Sequence, residues 1–416
     1  MSRRSHRNAT RRKAHPWGEP PWTVDFRPAP CVLPDHVDFA VVGTGFSGLS
    51  AAAWLRRLAP GRSVLVLESA SLGDGASGRT GGMALADTAA GPLPGLGDVL
   101  AGYKKILRAL RIDSRLTLPG VWELGRSAPT AKRSGAAGKR SPISWSDSGE
   151  LRVVRRVPGG TVDPGKVLVG LARAAENAGA QIVEHAEVRA LDFSNPLRLQ
   201  VRRNLRGGRI HHKEIRASQV LLATNASSLK LSGLQAAAAP KLTLALATAP
   251  LSAAQLKALG LGSRRPFYTI DFPYLWGRLL DSNGVIFGSG LVPAYAGPPA
   301  GFPLGGSSIK NAAHNLRRYD VRRGEAATRL RWLEHRVRHL HPALANVLIT
   351  HRWAGPILLT EGMRPVFRWL TPKAHPRSNQ VIVLAGYNGH GVALSVYLGQ
   401  WAAQALLHRR PLPHWH

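Results

Sequence analysis

An apolar run from Val37 to Val42 suits a strand buried on both faces of a parallel sheet. Leu49-Ser50-Ala51-Ala52-Ala53-Trp54-Leu55 follows and is a good helix former. Ser63–Leu67 reads as a second strand that ends at Glu68. Further on, Val99, Leu100, Tyr103, Ile106, Leu107 and Leu110 make one apolar face of a helix over Val99 to Ile112. Asp163-Pro164-Gly165 opens a helical run to Asn177, with Gly179 as its stop. Gln181–Val188, Leu197–Arg203 and His211–Arg216 read as strands, and Gln219–Ala226 as a buried strand returning to the first sheet. From Lys241 to Leu291 the pattern is β-rich. Within it, alternation over Asp271–Arg278 puts Phe272, Tyr274, Trp276 and Arg278 on one face, an aromatic wall closed by one cation. Pro273 makes that strand an edge or a bulge. Gln380–Ala385 is a last strand, followed by a glycine loop and a helix from Val392 to His408.

The first strand and helix flank Gly43, Gly45 and Gly48 in the spacing G-x-G-x-x-G. Gly43 makes the tight turn, Gly45 lets backbone approach a pyrophosphate, and Gly48 lets helix and strand pack closely. The phosphates sit at the helix N-terminus, where unpaired N–H groups and the dipole favour anions. Glu68 lies 20 residues after Gly48, placed to accept hydrogen bonds from a ribose and to repel a 2′-phosphate. The motif in this frame predicts an adenine dinucleotide. Only one strand-linked copy occurs, whereas a nicotinamide-dependent flavoprotein reductase usually carries a second. One nucleotide site beside a β-rich middle therefore favours a flavin fed by an organic substrate.

Glycine is dense from Ser71 to Met83, a segment that cannot be a regular strand. It is able to press backbone against a flat ring or a phosphate, with Ser77, Arg79 and Thr80 adding polar contacts. Gly386-Tyr387-Asn388-Gly389-His390-Gly391 forms a second loop at a helix N-terminus, suited to an anion or a carbonyl.

Composition changes this picture in two respects. The chain has 416 residues and a net charge of +32, with the basic residues spread over the N-terminal tail, Arg126–Arg140, Arg202–Arg216 and Arg317–Arg338. The last stretch reads as a helix with a solvated basic face. Such charge invites a nucleic-acid reading, but its dispersal favours a generally basic surface, and no nucleic-acid partner is expected. The single cysteine, Cys31, excludes a disulfide framework and a cysteine-based metal cluster. No metal site is expected. No run of roughly 18 apolar residues occurs, and no apolar stretch follows the basic N-terminus, so neither a membrane span nor a secretory signal is expected. The expected location is cytoplasmic.

The segments VVGTGFSGLSAAAWL, GASGRTGGM, VDPGKVLVGLARAAENAGAQIVEHAEV, LLATNA, HRWAG and GYNGHGVALSVYLGQ occur in this order between residues 37 and 408. In them the chain resembles the D-amino-acid-oxidase-like superfamily of FAD-dependent oxidoreductases, nearest to the gamma-glutamylputrescine oxidase branch. The resemblance implies a mixed α/β (α+β) fold: a Rossmann-like FAD-binding domain with a parallel sheet, intertwined with an antiparallel-sheet substrate domain. The expected division is a flexible basic, proline-rich lead-in over 1–36 and FAD-binding parts over 37–120, 161–235 and 351–416. Substrate-domain strands with a basic loop insertion at 126–142 fill 121–160, and the main substrate sheet fills 236–350.

Carried onto this chain, the resemblance implies noncovalent FAD. Gly43, Gly45, Phe46, Ser47 and Gly48 hold its pyrophosphate and Glu68 its ribose. Gly75, Ala76, Ser77, Arg79, Thr80, Gly81, Gly82 and Met83 run along the flavin, and Val188 meets the adenine. Thr224, Asn225 and Ala226 approach the cofactor, Trp353 and Gly355 cross it, and Gly386, Tyr387, Gly389, His390, Gly391 and Val392 close its ring end. Thr80 stands where the family usually has asparagine, and Arg368 where it has glycine. The implied reaction is hydride transfer from a carbon bearing nitrogen, with an amine or amino acid as substrate and O2 or an electron carrier as acceptor. Arg278, Tyr274, Trp276 and His390 are the catalytic candidates. Two other readings stay open: a flavoenzyme on a nucleic-acid-linked substrate, and an FAD-binding protein without turnover.

Overall fold

The computed structural model describes residues 15–127, 141–293, 315–371 and 379–415. The basic tail before His15 and residues 128–140 of the basic insertion lie outside these.

The Val37–Val42 run becomes the strand His36–Val42, central in an eight-stranded sheet. Val64–Leu67 and Ile210–Leu222 flank it in parallel; Gln181–Val183 and Val381–Ala385 extend the parallel set. Val366–Trp369 runs antiparallel at the edge. Helices Phe46–Leu58, Val99–Ala109, Pro164–Asn177 and Gly391–Leu406 bury apolar side chains in a core shared with these strands, including Leu49, Tyr103, Leu168 and Val396. Asp98 and Asp163 cap two of the helices by accepting from the N–H groups of Ala101 and Lys166.

A second eight-stranded sheet runs in the order Ile349–Thr360, Ala238–Thr248, Val285–Val292, Trp276–Leu279, Phe267–Thr269, Val121–Ser127, Glu150–Val157, Ser144–Ser146. All its pairs are antiparallel except Phe267–Thr269 with Val121–Ser127. The strands of the two sheets alternate along the chain, so neither is one continuous segment. The architecture is a mixed α/β fold.

Four local expectations need correction. Gln181–Val188 is two strands, Gln181–Val183 and Ala186–Asp192, separated at His185, which has φ +57°. His211–Arg216 and Gln219–Ala226 are one strand, Ile210–Leu222, because buried Ala217 pairs with Val37 on one side and Leu197 on the other. The ladder has no place to break. The alternation over Asp271–Arg278 does not hold, because only Trp276–Leu279 is strand. Phe272 and Tyr274 stand on an irregular bend before it. Arg126 and Arg336, read as surface charge, share the carboxylate of Asp147; Arg336 is buried and the Arg126 side chain is 8% exposed.

The segment from His15 to Asp35 forms no helix or strand of its own. Trp17 is buried, Gly18 bridges Trp353, and Trp22 packs edge-on against Trp353.

Candidate active site

The glycine turn is built as its spacing demands. Gly43 has φ +107° and donates to the Leu67 carbonyl at 2.8 Å. A Cβ at Gly48 would lie 2.0 Å from the Gly43 carbonyl oxygen, so only glycine lets the helix sit on the turn. Gly45 caps the helix with extended backbone and no side-chain acceptor. The Phe46 N–H is met by Ser77 Oγ at 2.9 Å, which ties the second glycine-rich segment to the first. Glu68 accepts from the Thr44 N–H and hydroxyl and from the Ala70 N–H. It also accepts from the Ser69 hydroxyl at 3.3 Å, which fills the about four acceptor positions of a carboxylate, so a ribose hydroxyl would replace that longest bond.

These groups open into a cavity of about 1530 Å³. That exceeds the roughly 300–1,000 Å³ of a pocket for one small ligand. There is room for a dinucleotide and a substrate together. Every residue predicted to meet the cofactor lines it except Gly48, Gly82, Ala226 and Gly386. Of the catalytic candidates, Tyr274, Trp276 and His390 line it and Arg278 does not.

Arg278 lies behind the glycine-rich loop. It is 6% exposed, and its Nε donates to the Gly81 carbonyl. Burial pulls its pKa down to about 10, against the pull of Asp163 and Asp281, which leaves it cationic at neutral pH. It holds the loop and does not line the cavity. Trp276 stands between loop and sheet: a Cβ at Gly81 or Gly288 would come within 2.2 Å or 2.1 Å of its ring. Arg79 has a similar fate. Its buried guanidinium donates to the carbonyls of Gly18 at 2.7 Å and Asp74 at 3.2 Å, clamping the N-terminal segment to the loop. Trp353 Nε1 donates to the Arg79 carbonyl at 3.0 Å and Trp22 Nε1 to that of Gly78 at 2.7 Å.

At the C-terminal loop, the Gly386 N–H expected to face the cofactor donates instead to Asn225 Oδ1 at 3.0 Å. Asn225 itself adopts φ +46°, so this contact joins the ends of two parallel strands. Asn388 accepts from Thr360 N–H and donates to the Gly386 carbonyl, fixing the turn. Tyr387 and Ser47 hydroxyls hydrogen-bond across the cavity wall. Burial raises the Tyr387 phenol and lowers the His390 imidazole from their ordinary values. His390 precedes the helix without a side-chain cap, leaving Gly389, Gly391 and Val392 backbone at the wall.

Sequence reasoning missed the sheet side of the cavity. Thr243, Ser289, Tyr268, Glu123, Arg155 and Trp332 line it and belong to no motif. The one signal was Glu123, an acid inside the strand Val121–Ser127. Among the described residues no group of three or more His, Cys, Asp or Glu is placed to hold a metal ion, and no helix is long and apolar enough to cross a membrane.

A glycine-built nucleotide cradle that opens onto a β-sheet face defines a dinucleotide-dependent redox protein, and its glycine turn, Glu68 and long cavity fit FAD. The chain belongs to the FAD dependent oxidoreductase family, whose model matches residues 38–405. It is similar to a probable oxidoreductase, OrdL, of Haemophilus influenzae, 26% identical over 426 residues, 92% of this chain and 86% of that protein. In structure it is similar to a glycine oxidase from Geobacillus kaustophilus, with TM-score 0.63 and 20% identity over 91% of this chain and 96% of that one. It is likewise similar to an L-amino acid deaminase from Proteus myxofaciens, solved with anthranilate, with TM-score 0.64 and 15% identity over 93% of each chain.

Proposed function

We propose that this oxidoreductase oxidises the C–N bond of an amine or amino acid, of the gamma-glutamylputrescine type, with O2 as acceptor and hydrogen peroxide as second product. The observation that carries this reading is one continuous cavity, from Gly43, Gly45 and Glu68 to the sheet face at Thr243, Ser289 and Trp353. A cofactor seated at the first end presents its far end to the second. Bound there, FAD supplies a two-electron acceptor for the hydride of the carbon that bears nitrogen, whose lone pair forms C=N before water hydrolyses the imine.

The chain's own groups position and shield. Trp276, Arg278 and Arg79 fix the Gly75–Met83 backbone, so that ring contacts are made by a preset surface. The N-terminus of the helix Gly391–Leu406 favours negative charge developing beside it. His390, held below its ordinary pKa by burial, is neutral at pH 7 and adds a hydrogen-bonding ring without a charge. Tyr274 and Trp332 supply apolar wall around the substrate.

The test is product balance with a panel of amines and amino acids. The reading requires one peroxide and one carbonyl product per O2 consumed, with ammonia from a primary amine. Reduction of a dye without O2 uptake would contradict the acceptor, and no turnover with any member would contradict the substrate class. FAD is proposed to be noncovalent, so acid precipitation should leave the yellow colour in the supernatant.

A further inference from the structure

The register of the second sheet aligns one row of directly opposed residues across it: Trp353–Ala245–Gly288–Trp276–Tyr268–Glu123–Arg155. All line the cavity except Gly288, which the Trp276 ring covers. The row begins apolar beside the glycine-rich loop and ends in three polar side chains. Glu123 is buried, with its side chain 7% exposed. Its Oε1 accepts from the Tyr268 hydroxyl and its Oε2 from Arg155 Nε. Burial pushes the Glu123 carboxyl up, but the hydrogen bonds from Arg155 and Tyr268 outweigh it and hold the group below its ordinary value.

This arrangement both pairs a cation and aims it. A guanidinium carries five N–H donors in a planar fork. Glu123 takes only Nε, and no described residue takes the Nη pair, whose edge matches a carboxylate bidentately. The Arg155 side chain is 68% exposed, and it lines the cavity. Two other arginines line the cavity among the described residues: Arg79, spent on carbonyls, and Arg329, paired with Glu325 along its own helix. Three strand steps separate Trp276 from Arg155, about 14 Å at ~4.8 Å per step.

We propose that Arg155, held by Glu123 and Tyr268, is a subsite for a carboxylate at the far end of an elongated amine substrate. This rests on the reading of the cavity as an amine-oxidising site, and narrows it. An α-amino acid carries its carboxylate one bond from the reacting carbon and cannot span to the row's end. A linear amine with a remote carboxylate can, and the net charge of +32 draws such an anion in.

Binding is measured by calorimetry on the holoenzyme with octanoate and octanamide, which have no C–N bond to oxidise at the far end. Turnover is measured in parallel with 8-aminooctanoate and 8-aminooctanamide. The wild type should bind octanoate at least tenfold more tightly than octanamide. Arg155→Gln should bring that ratio near one, Arg155→Lys should fall between, and Arg329→Gln should leave it unchanged. No carboxylate preference in the wild type would overturn the proposal. So would a preference that survives Arg155→Gln or is lost in Arg329→Gln. Carboxylate binding through Arg155 without oxidation of any amine would leave the subsite standing and sink the amine-oxidising reading instead.

Discussion

At Gly48 a single hydrogen atom decides whether the nucleotide cradle exists. Alanine there would put Cβ 2.0 Å from the Gly43 carbonyl oxygen, and backbone cannot swing aside like a side-chain end. Gly48→Ala should cost about 1–3 kcal/mol of stability and lower retained flavin. Gly61→Ala, whose Cβ meets nothing within 4 Å, should change neither. Flavin content per chain and a thermal melt read both. A second residue sets a pH dependence. His15 Nδ1 accepts from the Trp17 N–H at 3.0 Å, a bond only the unprotonated nitrogen can make. Burial, then the charge of Arg79, brings its pKa from 6.5 to about 4. Between those values the unfolded chain binds a proton that the folded His15 refuses. Its contribution to stability therefore falls as pH drops from 6.5 towards 4. His15→Asn keeps an acceptor and removes the titration. Melting temperature against pH should be flatter for the variant over that window, and identical slopes would refute the assignment.

Among the elements, the bend before Trp276 is held from behind. Arg336 donates to Asp147, to the Pro273 and Tyr274 carbonyls and to Ser289 Oγ, while Arg126 donates to Asp147 and Asp271. Asp147→Asn leaves Arg336 buried without its counter-charge, whereas Arg126 keeps Asp271. Breaking a buried pair from one side costs about 3–5 kcal/mol, to be read as a lowered denaturant midpoint. A variant as stable as the wild type would show the network to be dispensable. This network also marks where the sequence stops being legible. Glycines are readable because their reason is local: a turn at Gly43, a close approach at Gly48. Asp147, Arg126 and Arg336 meet only through tertiary packing, so each arginine looks like ordinary surface charge in its own stretch. Arg278 is off the cavity wall for a related reason, since the alternation stops at a bend and its Nε meets the Gly81 carbonyl. Tyr268, Glu123 and Arg155 come from three strands, and only register assembles them.

For the whole molecule, the chain visits the nucleotide sheet and the antiparallel sheet by turns, and the cavity lies where both contribute walls. The segment from His15 to Asp35 ties them together: Trp17 and Gly18 pair with the strand Ile349–Thr360, while Trp22 hydrogen-bonds the Gly78 carbonyl. The glycine turns that line one end of the cavity were readable in order along the chain; the wall at the other end was not, because it is a property of the sheet rather than of any segment. In the proposed reaction a carbon bearing nitrogen, placed on the sheet face, delivers its electrons to FAD in the cradle. Anaerobic addition of amines to the purified protein, followed at the flavin absorbance band, tests it most directly. One class of amine should bleach the band rapidly, and the colour should return on admitting air. A yellow protein that no amine bleaches would contradict it.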